Sequence, residues 1–146
     1  MAADTASTAA RVLTVNGGSS SLKFALFDPG DPPRRLAGGA VERLGQTDPV
    51  PGLLDWLDRN GTRIAAIGHR IVHGGSHHFA PALVTPDLLA DLRTASPLDP
   101  AHLPAEIRLV EALAARFPGV PQVACFDTGF HRDLPAVART LPLPRR

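Results

Sequence analysis

Three short stretches hold the residues best suited to chemistry. The first is VNGGSSSLKFALFD, residues 15–28, which sets two glycines, Ser19, Ser20 and Ser21 between two apolar runs and follows them with Lys23. A tight turn between strands exposes successive backbone N–H groups, hydroxyls add donors, and an ammonium adds charge, so the stretch reads as an anion cradle. Lys23 is the sole lysine beside 14 arginines, and a lysine is a compact point charge that reaches a phosphate oxygen. The apolar flanks rule out a linker. A plain hairpin turn remains open at this point. There is no G-x-x-x-x-G-K-[ST] leading into a helix and no G-x-G-x-x-G.

The second stretch is GHRIVHGG, residues 68–75. His69 and His73 have the spacing of a zinc helix motif, but Arg70 stands where that motif needs a glutamate, which disfavours a metal. Read as a strand, Arg70 and Val72 share one face, and His69, Ile71 and His73 the other. A guanidinium fork beside a small apolar side chain suits a short carboxylic acid, the fork taking the carboxylate and Val72 the alkyl tail. An ordinary strand-end ion pair is the competing reading.

The third stretch is VACFDTGFH, residues 123–131, which puts Asp127 just past an apolar strand. Ligands of open α/β sheets bind outside the carboxyl ends of strands, where an acid can hold a metal ion or orient a nucleophile. A simple Asp-Thr-Gly turn is one alternative. Another is the active-site signature of aspartic proteases, which needs two such aspartates and hence a dimer. Bulky Phe130 and His131 follow where that pattern has a small residue, and the helical 105–117 segment suits an all-β enzyme poorly.

The elements that must position these residues follow from patterning. Strands are expected at Val12–Val15, Leu22–Phe27, Leu36–Leu44, Ile64–Val72 and Val120–Phe126. Helices are expected at Leu53–Arg59, at Pro86–Thr94 with Thr85 as N-cap, and at Ala105–Phe117, where Ile107, Val110, Leu113 and Ala114 share a face. Residues 74–81 read as a loop, 98–104 as proline-broken, and 132–146 as lacking a closing element. The order β-β-β-α-β-α-α-β predicts an α/β fold, possible also as α+β, with a mixed sheet led by an antiparallel hairpin. Cys125, inside the last strand, is expected in the core.

At 146 residues, 44% hydrophobic and 20% charged, the composition is that of a globular domain. A formal net charge of +1 with scattered arginines points to neither a nucleic-acid nor a membrane surface. A single cysteine makes no internal disulfide, which suits a cytoplasmic location. Residues 1–10 read as a disordered tail without an apolar signal segment.

Taken in order, the motifs resemble one family. VLTVNGGSSSLKFALFD looks like the first signature of acetate kinases, GHRIVHGG and FDTGFH like their next two landmarks, and PLDPAHLPAEI like their PLAPLHNP segment. The resemblance runs from about Arg11 to the C-terminus. It implies a ribonuclease H-like domain of the actin/hexokinase/Hsp70 type, with ATP, Mg2+ and a short acid such as acetate or propionate, and reversible formation of an acyl phosphate. Carried over by position, it implies that Asn16 helps hold magnesium and that Ser19, Ser21 and Lys23 line the phosphate path. Arg70 would bind the substrate carboxylate, Val72 its alkyl group, His102 the substrate side, and Asp127 would be the catalytic acid. A homodimer is implied for full-length relatives.

Gly17 stands where the family has alanine, and Ala101 and Leu103 replace the leucine and asparagine around the substrate-side histidine. The acyl pocket therefore differs in lining, and the preferred acid stays open. Acetate kinases are more than twice as long as this chain. The expectation is an N-terminal domain, residues 11–146, that lacks the nucleotide-closing second domain, holds about half of the active site, and is inactive alone. A stand-alone carboxylate- or anion-binding module is the alternative.

Overall fold

The computed structural model describes residues 10–42, 48–60 and 63–140. Three strands open the chain: β1 (Arg11–Gly17), β2 (Ser21–Asp28) and β3 (Arg34–Glu42). They pair antiparallel in sequence. Helix α1 (Val50–Asn60) leads to β4 (Ile64–Ile71), which lies parallel to β1. Next come a two-residue strand β5 (Ala82–Leu83), α2 (Pro86–Ala95), a 3-10 turn at Ser96–Leu98, α3 (Leu103–Arg116) and β6 (Gln122–Phe126). β6 is parallel to β4, and β5 pairs antiparallel with β6. A 3-10 turn at Asp127–His131 and a single-turn helix α4 (Ala136–Arg139) complete the described residues. The sheet order is β3-β2-β1-β4-β6-β5. This is the mixed α/β sheet that the patterning predicts.

The differences from the sequence reading have local causes. Helix α3 begins at Leu103, not Ala105, because proline is tolerated in a first turn, whose N–H groups have no partner in the helix. β5 and α4 are too short to leave a periodic signal. β4 stops at Ile71, so Val72 lies just beyond the strand. Thr85 caps α2 as expected, its hydroxyl accepting from the Leu88 N–H at 3.1 Å. Residues 1–9 of the expected tail and residues 43 and 44 of the third strand lie outside the described residues.

The core forms where helices cover the sheet. Leu53 and Leu57 of α1 and Leu109 and Leu113 of α3 pack on Leu13, Val15, Phe24, Leu26 and Ile67. A second cluster joins Leu88 and Leu92 of α2 and Ile107 and Val110 of α3 to Ile71, Ala124 and Phe126. Each such buried side chain contributes roughly 1.5–3 kcal/mol of transfer free energy. These strand residues alternate with a second set facing away from the helices, and the register aligns that set into rows. Ala40, Lys23, Asn16, Arg70 and Cys125 are successive cross-strand partners, as are Gly38, Ala25, Thr14, Gly68 and Val123. Cys125 is thus exposed, contrary to its expected place in the core. An apolar run alone cannot show that one face of its strand is uncovered. No helix among the described residues is long and apolar enough to cross a membrane.

Candidate active site

The chemistry gathers at one end of the sheet. β1 ends at Gly17, and the Gly18 N–H donates to the Ser21 carbonyl at 2.9 Å, closing a tight hairpin with Ser19 and Ser20 at its tip. β4 and β6 run parallel to β1 and end beside it, bringing Arg70 and Asp127 to the same edge. A polar cavity of about 490 Å3 results, lined by Asn16, Gly18, Ser19, Ser20, Ser21, Lys23, Arg70 and Asp127. The hairpin is therefore a turn that also forms a cavity wall. Six of the eight residues expected to form a site meet there. Val72 and His102 do not line it.

Arg70 is the hub. Its Nε donates to Asp127 Oδ1 at 3.0 Å, its Nη2 pairs with Asp127 Oδ2, and its Nη1 reaches Asn16 Oδ1 at 3.4 Å. The hydrogen bonds it donates to Asp127 hold the guanidinium even more firmly charged than usual. The two readings of Arg70 left open by the sequence meet here, since the strand-end ion pair exists and lies in the cavity. Asp127 takes the Nε–Nη2 side of the fork. A guanidinium carries five N–H donors, so its Nη1–Nη2 end remains available to a second carboxylate. Lys23 and Arg70 flank Asn16 from the two neighbouring strands, roughly 10 Å apart at the backbone given the usual strand spacing. A phosphate chain between them would meet a cation on each side.

A second polar group lies behind this edge. The Val72 N–H points at both carboxylate oxygens of Glu106, at 3.3 and 3.2 Å. Glu106 belongs to the first turn of α3, is only 2% exposed, and burial pushes its carboxyl up to about 7. His102, the N-cap residue of α3, is held by Asp99, whose Oδ1 meets the His102 Nδ1 at 3.0 Å and its N–H at 3.3 Å. Sequence reasoning passed over Glu106 and Asp99. A signal for Glu106 existed: it shares the apolar stripe of α3 with Leu103, Ile107 and Val110, where a charge is costly.

His69 and His73 have separate partners. His69 is buried against the Gln122 side chain, and His73 Nδ1 accepts from the Gly75 N–H at 2.8 Å. Among the described residues no group of three or more His, Cys, Asp or Glu is placed to hold a metal ion. For Mg2+ the donor chemistry nevertheless fits. Asn16 and Asp127 offer hard oxygens beside a phosphate cradle, and Mg2+ is commonly bound by one or two protein oxygens with phosphate and water completing its shell.

The three-stranded antiparallel leader, the parallel strands that follow and the flanking helices give the fold of the actin/hexokinase/Hsp70 class. The chain belongs to the acetokinase family, whose model matches residues 53–146. It is 42% identical to an acetate kinase of Deinococcus radiodurans across 90% of this chain and 39% of that protein. Its fold is similar to the crystal structure of Porphyromonas gingivalis acetate kinase, with a TM-score of 0.75 and 28% identity over 94% of this chain and 42% of the other. A propionate kinase from Francisella tularensis gives a TM-score of 0.69 at 30% identity, over 92% of this chain and 41% of the other. The chain thus spans about 40% of the length of the relatives it matches.

Proposed function

We propose that this chain supplies the phosphate- and carboxylate-facing part of an active site that transfers the terminal phosphoryl group of ATP to a short acid, acetate or propionate. The supporting observation is the single cavity shared by the Ser19–Ser21 hairpin, Lys23, Asn16, Arg70 and Asp127. Family membership supports the reaction type, and the partial coverage of relatives supports a second, nucleotide-closing segment beyond residues 11–146.

In this reading the Nη1–Nη2 end of Arg70 anchors the acid, leaving one carboxylate oxygen to attack the terminal phosphorus. That P–O bond forms as the bond to the bridging oxygen breaks, and ADP departs with the electron pair. No proton has to move. Phosphoryl transfer of this kind depends on in-line positioning and on charge stabilisation. Lys23 and the hairpin N–H and hydroxyl groups offset the developing negative charge. Asp127 holds Arg70 in place and, with Asn16, offers oxygens to Mg2+. The metal, when bound, would neutralise phosphate charge. Val72 and His102, which do not line the cavity, are given the acyl side by the resemblance alone. The setting is cytoplasmic, with a homodimer formed through the longer protein.

The test is acyl phosphate formation from ATP and acetate, trapped with hydroxylamine, by this chain with and without the remaining length of a relative. Activity only in the mixture supports the proposal. A folded, associated mixture with no activity refutes it. Calorimetric titration of the chain alone with acetate and phosphate examines the second reading, an anion-binding module, which the meeting of Lys23, Arg70 and the serine hairpin in one cavity favours.

A further inference from the structure

We propose that Glu106 is a positioning residue for the carboxylate site, holding the backbone at Val72, outside the cavity wall, and so setting how close the Val72 side chain stands to the Arg70 fork. The inference rests on the reading of Arg70 and Val72 given above and adds what fixes them.

The geometry carries it. β4 ends at Ile71, so the Val72 N–H leaves the sheet ladder and needs an acceptor. Both oxygens of Glu106 supply one, from a helix 34 residues further along the chain. A carboxylate buried on an apolar helix stripe is costly. Two features offset that cost: the first-turn position, where the helix dipole favours negative charge, and the Val72 N–H itself.

The same turn of α3 carries His102, whose carbonyl accepts from the Glu106 N–H at 3.1 Å. One rigid element therefore ties His102 to Val72, and Val72 is two residues from Arg70. Moving Glu106 would shift Val72 and His102 together relative to the fork. The charged and titratable groups acting on the Glu106 carboxyl are Arg70 from β4, and Asp99 and His102 from the start of α3.

The experiment compares the unmodified chain with Glu106→Ala, Glu106→Gln and Glu106→Met, and with Arg70→Ala. Glutamine keeps an acceptor oxygen without the charge. Methionine fills the space without an acceptor and serves if alanine does not fold. Hydrogen exchange at the Val72 amide is read first, then calorimetric affinities for acetate, propionate and butyrate, with inorganic phosphate as reference.

The expected result is a Val72 amide protected in the unmodified chain and in Glu106→Gln, and exchanging at least tenfold faster in Glu106→Ala or Glu106→Met. Discrimination between propionate and butyrate should fall severalfold in the latter two and return with glutamine, while phosphate affinity stays within twofold. A general loss of stability would not alter that ratio. The proposal is overturned if a folded Glu106→Ala or Glu106→Met keeps the amide protected or keeps the discrimination. Failure of the unmodified chain to bind any of the three acids, or equal binding by Arg70→Ala, would instead refute the carboxylate reading of Arg70.

Discussion

Arg70 and Asp127, 57 residues apart in sequence, form a two-pronged ion pair at the ends of adjacent parallel strands. Their side chains are 37% and 44% exposed, so water screens the pair and its own contribution to stability is small, about 0–1 kcal/mol. Its importance lies in orientation. Asp127 turns the guanidinium so that one side is taken and the end is presented. An incoming carboxylate meets a pre-set fork that also carries a neighbouring negative charge.

Replacing Asp127 by asparagine should therefore separate binding from catalysis. The repulsive charge is removed and one oxygen can still accept from Arg70. Acetate affinity of the chain should rise severalfold, on the order of 1 kcal/mol. Acyl phosphate formation in the mixture with a relative's remaining segment should collapse. Calorimetry and the trapping assay check the two halves of this expectation.

Arg70→Lys keeps the charge and loses the fork. Carboxylate binding should weaken by about 1–3 kcal/mol, since one ammonium cannot reproduce two parallel hydrogen bonds and also hold Asp127. An unchanged acetate affinity would remove Arg70 from the site.

Two buried groups titrate with opposite effect on stability. Burial holds His69 down to about 4, from an ordinary 6.5, against the smaller opposing pull of its Gln122 hydrogen bond. Between those values the unfolded chain binds more protons, so the His69 contribution is present above pH 6.5 and is lost as pH falls towards 4. Burial pushes Glu106 from an ordinary 4.5 up to about 7. There the folded chain binds more protons, so its contribution is present below pH 4.5 and is lost as pH rises through 7. Each amounts to about 3 kcal/mol over its window, and the two oppose one another where the windows overlap. Glu106→Gln should unmask His69. Relative to the unmodified chain, its urea unfolding free energy should drop by about 2–3 kcal/mol more at pH 4.5 than at pH 6.5. A pH-independent difference would mean that Glu106 titrates normally in the folded chain.

Gly129 shows how tightly the Asp127 turn is seated. A Cβ at this position would overlap the carbonyl oxygen of Phe79, which is backbone and cannot swing aside. Gly129→Ala should push the Asp127–His131 turn off the loop that precedes β5. The expected cost is about 1–3 kcal/mol, the usual range for overpacking, with weaker anion binding because Asp127 no longer orients Arg70. Thermal unfolding together with phosphate titration would show the two losses in step.

Much of this site was legible as local chemistry. A Gly/Ser turn ending on Lys23, an arginine at a strand end and an aspartate just past another strand are each written in a few adjacent residues, and the apolar periods around them predict a mixed sheet. Glu106 left a weaker trace, a charge on an apolar stripe, whose purpose depends on a backbone N–H that no pattern in its own helix reveals.

The sequence by itself determined the elements and the order of the motifs, because hydrophobic periodicity, turn chemistry and capping act over a few residues. Only the tertiary structure decided what those motifs do to one another. Antiparallel pairing of β2 with β1 and parallel pairing of β1, β4 and β6 set Lys23, Asn16, Arg70 and Cys125 in one row, and one-sided coverage by helices leaves that row exposed. The same pairing joins Arg70 to Asp127, and the packing of α3 brings Glu106 to the end of β4. Such relationships span 34 to 57 residues, and strand register and layer packing, which no local stretch encodes, bring them into contact.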